Sequence, residues 1–237
     1  GGDIAAFLQE GVFIFGGVNR LLDQHFARLS DVEQALMVWL AIAREPVEPE
    51  YLRASLNPPV SKRELLEALR SLRRRSLVER SEVGFTLQNV VMEYVTARLV
   101  DVVAQELAQD QPTPPSKPYP WHSLYPLIEA QAKVYVRASQ TRLILQPIAE
   151  HLLAQVGPTE LEQHFQERLA QVRQQPQNRQ GYAAGNLVNL LLHLGHDLKR
   201  WDLSGLCIWQ AYFQGVSLQD VDFRGSDLKG VSFTETF

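Results

Sequence analysis

Two glycines near the start of the chain have the spacing of a phosphate-binding loop. Gly11 and Gly16 are five residues apart, as in the G-x-x-x-x-G-K-[ST] motif, whose backbone amides and lysine hold nucleotide phosphates. Gly17 and Val18 occupy the positions at which the motif needs lysine and then serine or threonine. We therefore interpret this segment as a turn between two short helices. No nucleotide hydrolysis is expected from this chain.

The other residues that could support catalysis or metal binding are isolated. His193 and His196 are three residues apart in "HLGHD", but Gly195 between them favours the C-terminal cap of a helix. Cys207 is the single cysteine, which excludes an internal disulfide and a cysteine-based zinc site. Neither G-x-S-x-G nor H-E-x-x-H occurs. We expect no catalytic residue and no metal site.

A stripe of basic residues lies on and after a predicted third helix, in "SKRELLEALRSLRRRSLVER". Winged-helix regulators place their recognition helix at this position, and such a stripe can neutralise DNA phosphates. Four glutamates are interspersed with it, and Glu64 can pair with a basic residue one turn away. We therefore favour an interdomain scaffold over a DNA reader. The DNA-binding alternative would use Lys62, Arg63, Arg70, Arg73, Arg74, Arg75 and Arg80.

The C-terminal segment repeats its apolar residues at every fifth position, as in "GVSLQDVDFRGSDLKGVSF". A helix would repeat them at three- and four-residue steps, and a strand at every second residue. Glycines at 205, 215, 225 and 230 fall where the backbone would turn between repeats. A turn after every fifth residue lets the same positions of each repeat face one interior. The predicted repeat core is Leu203, Ile208, Phe213, Leu218, Phe223, Leu228 and Phe233.

This pattern resembles the pentapeptide-repeat family, which forms a right-handed square β-helix with four repeats per coil. The resemblance implies that residues twenty apart stack on each other, for example Leu203 on Phe223. Phe223 would then lie inside the stack, and Cys207 would face outward. Seven repeats make less than two coils, which is little for an independent solenoid. The small residues of the helix at 181–194 predict that this helix packs closely against the stack as its cap.

The remaining segments are delimited by caps, glycines and prolines. Ser30 and Glu33 form a predicted capping box, and Ser61 is predicted to cap the third helix. The stretch "SLVERSEVGFTLQN" predicts a hairpin that turns on Gly84, and Asn89 can cap the long helix after it. Three helices followed by a hairpin is the order of a winged-helix domain. The proline-rich stretch 111–120 cannot be helical. Helical spacing resumes after it, with a break predicted near Pro147 and a restart at Pro158.

The predicted fold is therefore α+β and multidomain. A helical preamble occupies 1–29, a winged-helix domain 30–110, a proline-rich linker with a helical bundle 111–200, and a short right-handed pentapeptide-repeat β-helix 201–237. The net charge of −4 argues against bulk nucleic-acid binding. No apolar run is long enough to span a bilayer and no signal peptide is recognised, so we expect no membrane association. With a single cysteine, a cytoplasmic location fits best.

The order of these segments resembles the central region of bacterial, especially cyanobacterial, NB-ARC/NACHT-type STAND signal-transduction ATPases, which end in a WD-repeat propeller. The resemblance is carried by "FGGVNRLLDQHFARLSDVEQALMVWLAIAREPV", "FTLQNVVMEYV" and "GYAAGNLVNLLLHLGHDLKRWDLSGLCIWQAYFQGVSLQDVDF". It implies a non-catalytic regulatory or scaffold segment between an NTPase module and a C-terminal sensor. Its partners would be those two modules of the same chain, with self-assembly possible in the full protein. ATP or ADP would belong to the parent protein, and this fragment would hold no cofactor.

One position bears on nucleotide sensing in that family. Its winged helix ends in a Met-His-Asp motif, whose histidine contacts the ADP β-phosphate. Leu87, Gln88 and Asn89 stand at those places. Gln88 can donate a hydrogen bond to a phosphate oxygen but cannot become cationic. Gln88 and Asn89 are therefore the candidate nucleotide-sensing residues, and an exposed glutamine at the end of a strand is the equal alternative.

Overall fold

The structure is a computed structural model that describes residues 19–109 and 119–236. The predictions for the glycine-rich segment before residue 19, for most of the proline-rich linker and for the last residue lie outside this part of the chain. The chain divides into two compact units. The first contains Glu45–Val95 with the residues up to Ala41, and the second contains Ile42–Arg44 with the residues from Thr96 onward.

Four helices precede the hairpin in the described part of the first unit. Residues 19–27 form α1, and α2, α3 and α4 span Asp31–Ala43, Pro49–Ser55 and Lys62–Arg74. The predicted capping box is confirmed, because the Ser30 amide donates to the Glu33 carboxylate over 2.8 Å and the Glu33 amide donates to the Ser30 hydroxyl over 3.3 Å.

The predicted hairpin is present as a small two-stranded sheet. Strands β1 (Val78–Arg80) and β2 (Phe85–Leu87) pair antiparallel. Val47, which the sequence analysis did not place in a sheet, forms an antiparallel bridge with Phe85. A Cβ atom on Gly84 would collide with the Val47 carbonyl, so this close approach requires glycine.

Helix α5 spans Asn89–Ala108 and continues from the first unit into the second. The Met92 amide donates to the Gln88 carbonyl over 2.8 Å, which makes Gln88 the residue before the helix. Asn89 is the first helical residue, so its predicted capping role is wrong by one position. The shift arises because β2 ends at Leu87, which leaves a single residue between strand and helix.

The second unit is mostly helical. Its helices are α6 (Trp121–Leu124), α7 (Val134–Gln140), α8 (Gln146–Val156), α9 (Leu161–Arg173), α10 (Gln177–Gln180) and α11 (Ala183–His193). Helix α9 begins three residues after the predicted restart at Pro158. Gly181, which the prediction placed in the last helix, instead ends α10 with a φ of 53°. No helix within the described ranges is long and apolar enough to cross a bilayer.

The break predicted near Pro147 does not occur. A π-helical turn at Thr141–Leu145 joins α7 to α8, so the chain remains helical through the proline. Pro147 has no amide to donate to the carbonyl four residues earlier, and its ring would clash with that carbonyl. The wider turn, in which the Gln146 amide bonds to Thr141, accommodates the proline inside the helix.

The C-terminal cap predicted for "HLGHD" is confirmed. Gly195 has a φ of 81°, and its amide donates to the Leu192 carbonyl over 3.1 Å. The His196 amide donates to the Leu191 carbonyl over 3.1 Å. These two bonds form a Schellman motif, in which glycine adopts the left-handed conformation that ends a helix.

The repeats pair at the predicted twenty-residue offset. Parallel bridges join Asp202 to Asp222, Cys207 to Asp227 and Tyr212 to Ser232, so four repeats complete one coil. Every fifth residue from 200 to 235 has a positive φ, between 55° and 70°. Glycines occupy four of these corners, as predicted, and the other four are Arg200, Gln210, Asp220 and Glu235.

Candidate functional site

The first coil of the repeats, residues 201–220, has two backbone edges. One edge pairs with the second coil: the Leu203 amide donates to Asp222 over 2.9 Å, and the Asp222 amide donates to Trp201 over 3.0 Å. The other edge, which we call the upper edge, consists of the amides and carbonyls that point away from the second coil. Buried backbone groups at this edge need partners from outside the repeats.

A carboxamide from α10 satisfies one side of the upper edge. Gln180 is 1% exposed. Its Oε1 accepts a hydrogen bond from the Cys207 amide over 2.7 Å, and its Nε2 donates to the Gly205 carbonyl over 3.4 Å. One side-chain amide therefore contacts a carbonyl and an amide two residues apart in the coil.

A carboxamide from α11 does the same one repeat later. Asn189 is 3% exposed. Its Oδ1 accepts from the Tyr212 amide over 2.9 Å, and its Nδ2 donates to the Gln210 carbonyl over 2.9 Å. The contacted backbone groups lie five residues beyond those of Gln180. Each carboxamide thus occupies the place of a peptide group that a further coil would offer.

Arg173, at the end of α9, extends this set. Its Nε donates to the Ser204 carbonyl over 2.9 Å, and its Nη2 donates to the Asp202 carbonyl over 2.6 Å. We call Gln180 and Asn189 the amide cap, which the guanidinium of Arg173 extends. None of these three residues was predicted from the sequence. The available signal was Asn189, a polar residue within the otherwise apolar run "NLVNLLL".

Helix α11 approaches the stack closely, as its small residues predicted. A Cβ atom on Gly185 would collide with the Trp209 carbonyl. The Tyr182 ring packs edge-on against Trp209, with 5.3 Å between the ring centroids. Burial, and secondarily the charge of Glu129, raises the pKa of Tyr182 to about 12, so its side chain is neutral in this contact.

The seven predicted core residues of the repeats differ in burial. Leu203, Ile208 and Phe213 of the first coil have no exposed surface. Phe213 contacts both Phe223 and Phe233, at centroid distances of 5.9 and 5.4 Å. Leu218, Phe223 and Leu228 are half-buried, and Phe233 is 44% exposed. Phe223 packs against Phe213 inside the stack, as expected, but it is only half-buried, because the described chain places no coil below the one that contains it.

Cys207 occupies an outward-facing position of its repeat, as predicted, but α10 covers it. It points out of the coil but is 2% exposed, and its Sγ lies 3.4 Å from the Gln177 carbonyl of α10. Burial, and then the charge of Asp227, raises the pKa of the thiol. A buried, neutral thiol is a poor nucleophile.

Two aromatic residues of the first coil, Trp209 and Tyr212, are half-buried. Trp209 donates its indole N–H to Asp227 over 2.8 Å, and the Lys229 ammonium lies 4.9 Å from its ring centroid. The Arg137 guanidinium lies 4.2 Å from the centroid of the Tyr212 ring. Both residues are therefore part of the packed second unit.

The basic residues of the DNA-binding alternative lie on α4, directly after it or on β1, and all are exposed. Arg63 pairs with Glu67 over 2.8 Å, and Lys62 pairs with Glu50 over 3.5 Å. The interspersed acidic residues Glu64, Glu67, Glu79 and Glu82 are also exposed, so the face carries both signs of charge. The seven exposed basic side chains of that alternative are Lys62, Arg63, Arg70, Arg73, Arg74, Arg75 and Arg80.

The two candidate nucleotide-sensing residues lie at the junction of β2 and α5. Gln88 is half-buried and Asn89 is exposed. No cluster of three or more histidine, cysteine or carboxylate side chains that could hold a metal occurs in the part of the chain that the structure describes.

Comparisons with known proteins agree with this organisation in two places. A family model described as pentapeptide repeats matches residues 197–236, with eight copies. An uncharacterized WD repeat-containing protein of Nostoc sp. (strain PCC 7120) is 43% identical over 265 residues, which cover 99% of this chain and 21% of the relative. The chain thus spans about a fifth of the curated relative that it matches. No solved structure matches the chain. The chain is therefore similar to pentapeptide repeats at its C-terminal end, and to one part of a WD repeat-containing protein over nearly its whole length.

Proposed function

We propose that this chain is a non-catalytic regulatory or scaffold segment of a STAND-type signalling ATPase in the cytoplasm. It would link a nucleotide-binding module to a C-terminal sensor through interdomain contacts. The main support for the proposal is the match to a WD repeat-containing protein. The match is 43% identical and covers 99% of this chain but 21% of that protein. WD repeats form propellers, which are protein-interaction domains. A segment within such a protein is suited to connect its neighbours.

The amide cap supports the scaffold role. Hydrogen bonds from the amide cap and Arg173 join α9, α10 and α11 to the repeats, so the helices and the first coil of the second unit are packed together. We also propose a winged helix for 30–110 and a right-handed β-helix for the repeats. The order of helices and hairpin supports the first, and the parallel bridges twenty residues apart support the second.

The linking role can be tested by hydrogen exchange on the chain alone and within its full-length protein. We expect the flanking modules to slow exchange at the second coil and at the β1–β2 hairpin, because these surfaces would become interfaces. Unchanged exchange at both sites would contradict the proposal. The coding sequence on either side gives an independent check, since the proposal requires a P-loop before the chain and WD repeats after it.

Nucleotide binding would belong to the parent protein, in which Gln88 and Asn89 would lie near the phosphates. We expect the isolated chain to bind neither ATP nor ADP, because no lysine follows its glycine-spaced segment. Calorimetric titration with ADP and Mg²⁺ should give no binding heat. Micromolar binding would show that this fragment has a nucleotide site of its own.

DNA binding by α4 is the second candidate function. The exposure of all seven basic side chains favours it, whereas the exposed glutamates and the pairs of Lys62 and Arg63 oppose it. As a scaffold, the chain should bind duplex DNA weakly, with an affinity that falls steeply as salt rises. A sequence-preferring complex at physiological salt, lost in Arg70→Ala and Arg74→Ala, would favour the DNA-binding function.

A further inference from the structure

Two large apolar side chains are exposed at the start of α7. Val134 is 74% exposed and Tyr135 is 60% exposed. Val134, Ala138 and Thr141 recur at helical spacing and line one groove together with Tyr212 of the repeats. The groove has a volume of about 340 Å³, and we call it the α7 groove. Adjacent exposed apolar side chains of this kind mark interaction surfaces more often than isolated ones do.

The charges at this groove are positive. Arg137 and Arg142 line it, and no carboxylate does so among the residues that the structure describes. Arg142 is exposed at the rim. The acidic group next to the lining is Glu150, which accepts a hydrogen bond from the Gln146 carboxamide over 2.8 Å. The groove therefore combines an apolar strip with two guanidinium groups.

Arg137 is held in position without losing its charge. Its Nη1 donates to the carbonyls of Ala130 and Ala132 over 3.2 and 2.8 Å. Its guanidinium lies over the Tyr212 ring, and the Tyr212 amide donates a hydrogen bond to Asn189. Carbonyl and ring contacts orient the cation but do not neutralise it. A carboxylate entering the groove would therefore meet a fixed positive charge.

We propose that the α7 groove binds an acidic amphipathic segment of a partner protein. Apolar side chains of that segment would pack on Val134, Ala138 and Tyr212, and its carboxylates would pair with Arg137 and Arg142. Apolar burial supplies affinity in this binding mode, and guanidinium–carboxylate pairs fix the orientation. The proposal goes beyond the linking role and does not depend on it, because the groove lies wholly within the second unit.

The test uses fluorescence anisotropy with two labelled peptides and the full chain. One peptide has leucine at every third or fourth position and glutamate elsewhere, and the matched peptide has lysine in place of glutamate. We expect the glutamate peptide to bind, with an affinity that falls as salt rises, and the lysine peptide not to bind. Equal binding of the two peptides, or no binding of either, would overturn the proposal.

Two surface variants locate the site. Val134→Asp places a charge in the apolar strip, and Arg142→Glu reverses the charge at the rim. Both side chains are exposed, so the fold should persist, and circular dichroism would verify this. Each variant should weaken binding of the glutamate peptide roughly tenfold, whereas Arg63→Glu, at an exposed position of α4, should leave it unchanged.

Unchanged affinity in both groove variants would overturn the proposal. A duplex DNA probe tests whether the groove binds a nucleic acid instead of an acidic protein segment. If the DNA bound in a manner that required Arg142 while the glutamate peptide did not bind, a nucleic acid rather than an acidic protein segment would occupy the groove, and the proposal would be wrong.

Discussion

The two coils of the repeats carry the same five-residue pattern but differ in burial. Leu203, Ile208 and Phe213 of the first coil have no exposed surface, whereas Phe223 is half-buried and Phe233 is 44% exposed. The first coil lies between helices and the second coil, and the second coil has a packed neighbour on one side within the described chain. The burial of a repeat therefore depends on what stacks above and below it, and the pattern alone does not determine it.

The carboxamide side chains that bond to the two coils differ in the same way. Gln180 and Asn189 contact the first coil and are almost fully buried. The contacts to the second coil from Gln177 to Gly225, over 3.0 Å, and from Gln131 to Val231, over 3.5 Å, are exposed. Because water can replace an exposed hydrogen bond, the buried set should contribute more to stability. The four predictions below test this difference.

The largest effect should come from the phenylalanine at the centre of the first coil. Phe213→Ala removes a fully buried ring and should lower the free energy of unfolding by about 3–5 kcal/mol. Phe223→Ala removes a half-buried ring and should cost about 1–2 kcal/mol. Urea denaturation of both variants measures the difference. Equal losses would show that the two coils are packed alike.

The amide cap should give the next largest effect. Asn189→Leu leaves the Tyr212 amide and the Gln210 carbonyl without their partner and should cost about 1–3 kcal/mol. The amides of the first coil should then exchange faster than before, while those of α4 in the first unit should not change. Gln163→Leu is the matched control, because Gln163 is exposed and bonds to Glu167 on its own helix. A similar loss in the control would mean that the cap has no special role.

Gly185 tests the close approach of α11 to the first coil. Gly185→Ala should gain about 1 kcal/mol in helix propensity, but its methyl group would collide with the Trp209 carbonyl. The helix must shift, so we expect a net loss of about 1–2 kcal/mol. The change in the midpoint of thermal denaturation measures this loss. A rise in the midpoint would show that the contact is loose.

The smallest effect should come from the surface of the second coil. Hydrogen bonds from Arg224 lower the pKa of Asp222 from 3.8 to about 2. Because the pKa is lower in the folded chain, the contribution of Asp222 is present above pH 3.8 and is lost as the pH falls toward 2. The stability difference between the parent and Asp222→Asn should therefore be small at neutral pH and vanish in that acid range. Parallel denaturation curves at several pH values check this, and a difference that grew on acidification would contradict it.

The local elements were predictable because their signals lie within a few residues of one another. The capping box at Ser30 and Glu33, the hairpin that turns on Gly84 and the five-residue period each depend on short-range geometry. The helix through Pro147 was not predictable from the same signals. A proline opposes a regular α-helix, and only the surrounding packing determines whether the chain breaks or widens into a π turn.

The sequence alone determined the five-residue period with glycine at several corners, and the resemblance to pentapeptide repeats implied that residues twenty apart would stack. Only the tertiary structure decided which repeats are buried, that Cys207 lies under α10, and that Gln180 and Asn189 face the upper edge. Glutamine and asparagine are common on exposed helix faces, so their identity does not indicate that they are buried. The physical reason is that the amides and carbonyls of an unpaired backbone edge can bond to a carboxamide from any helix that reaches them. The number of residues between that helix and the edge does not restrict which side chain does so.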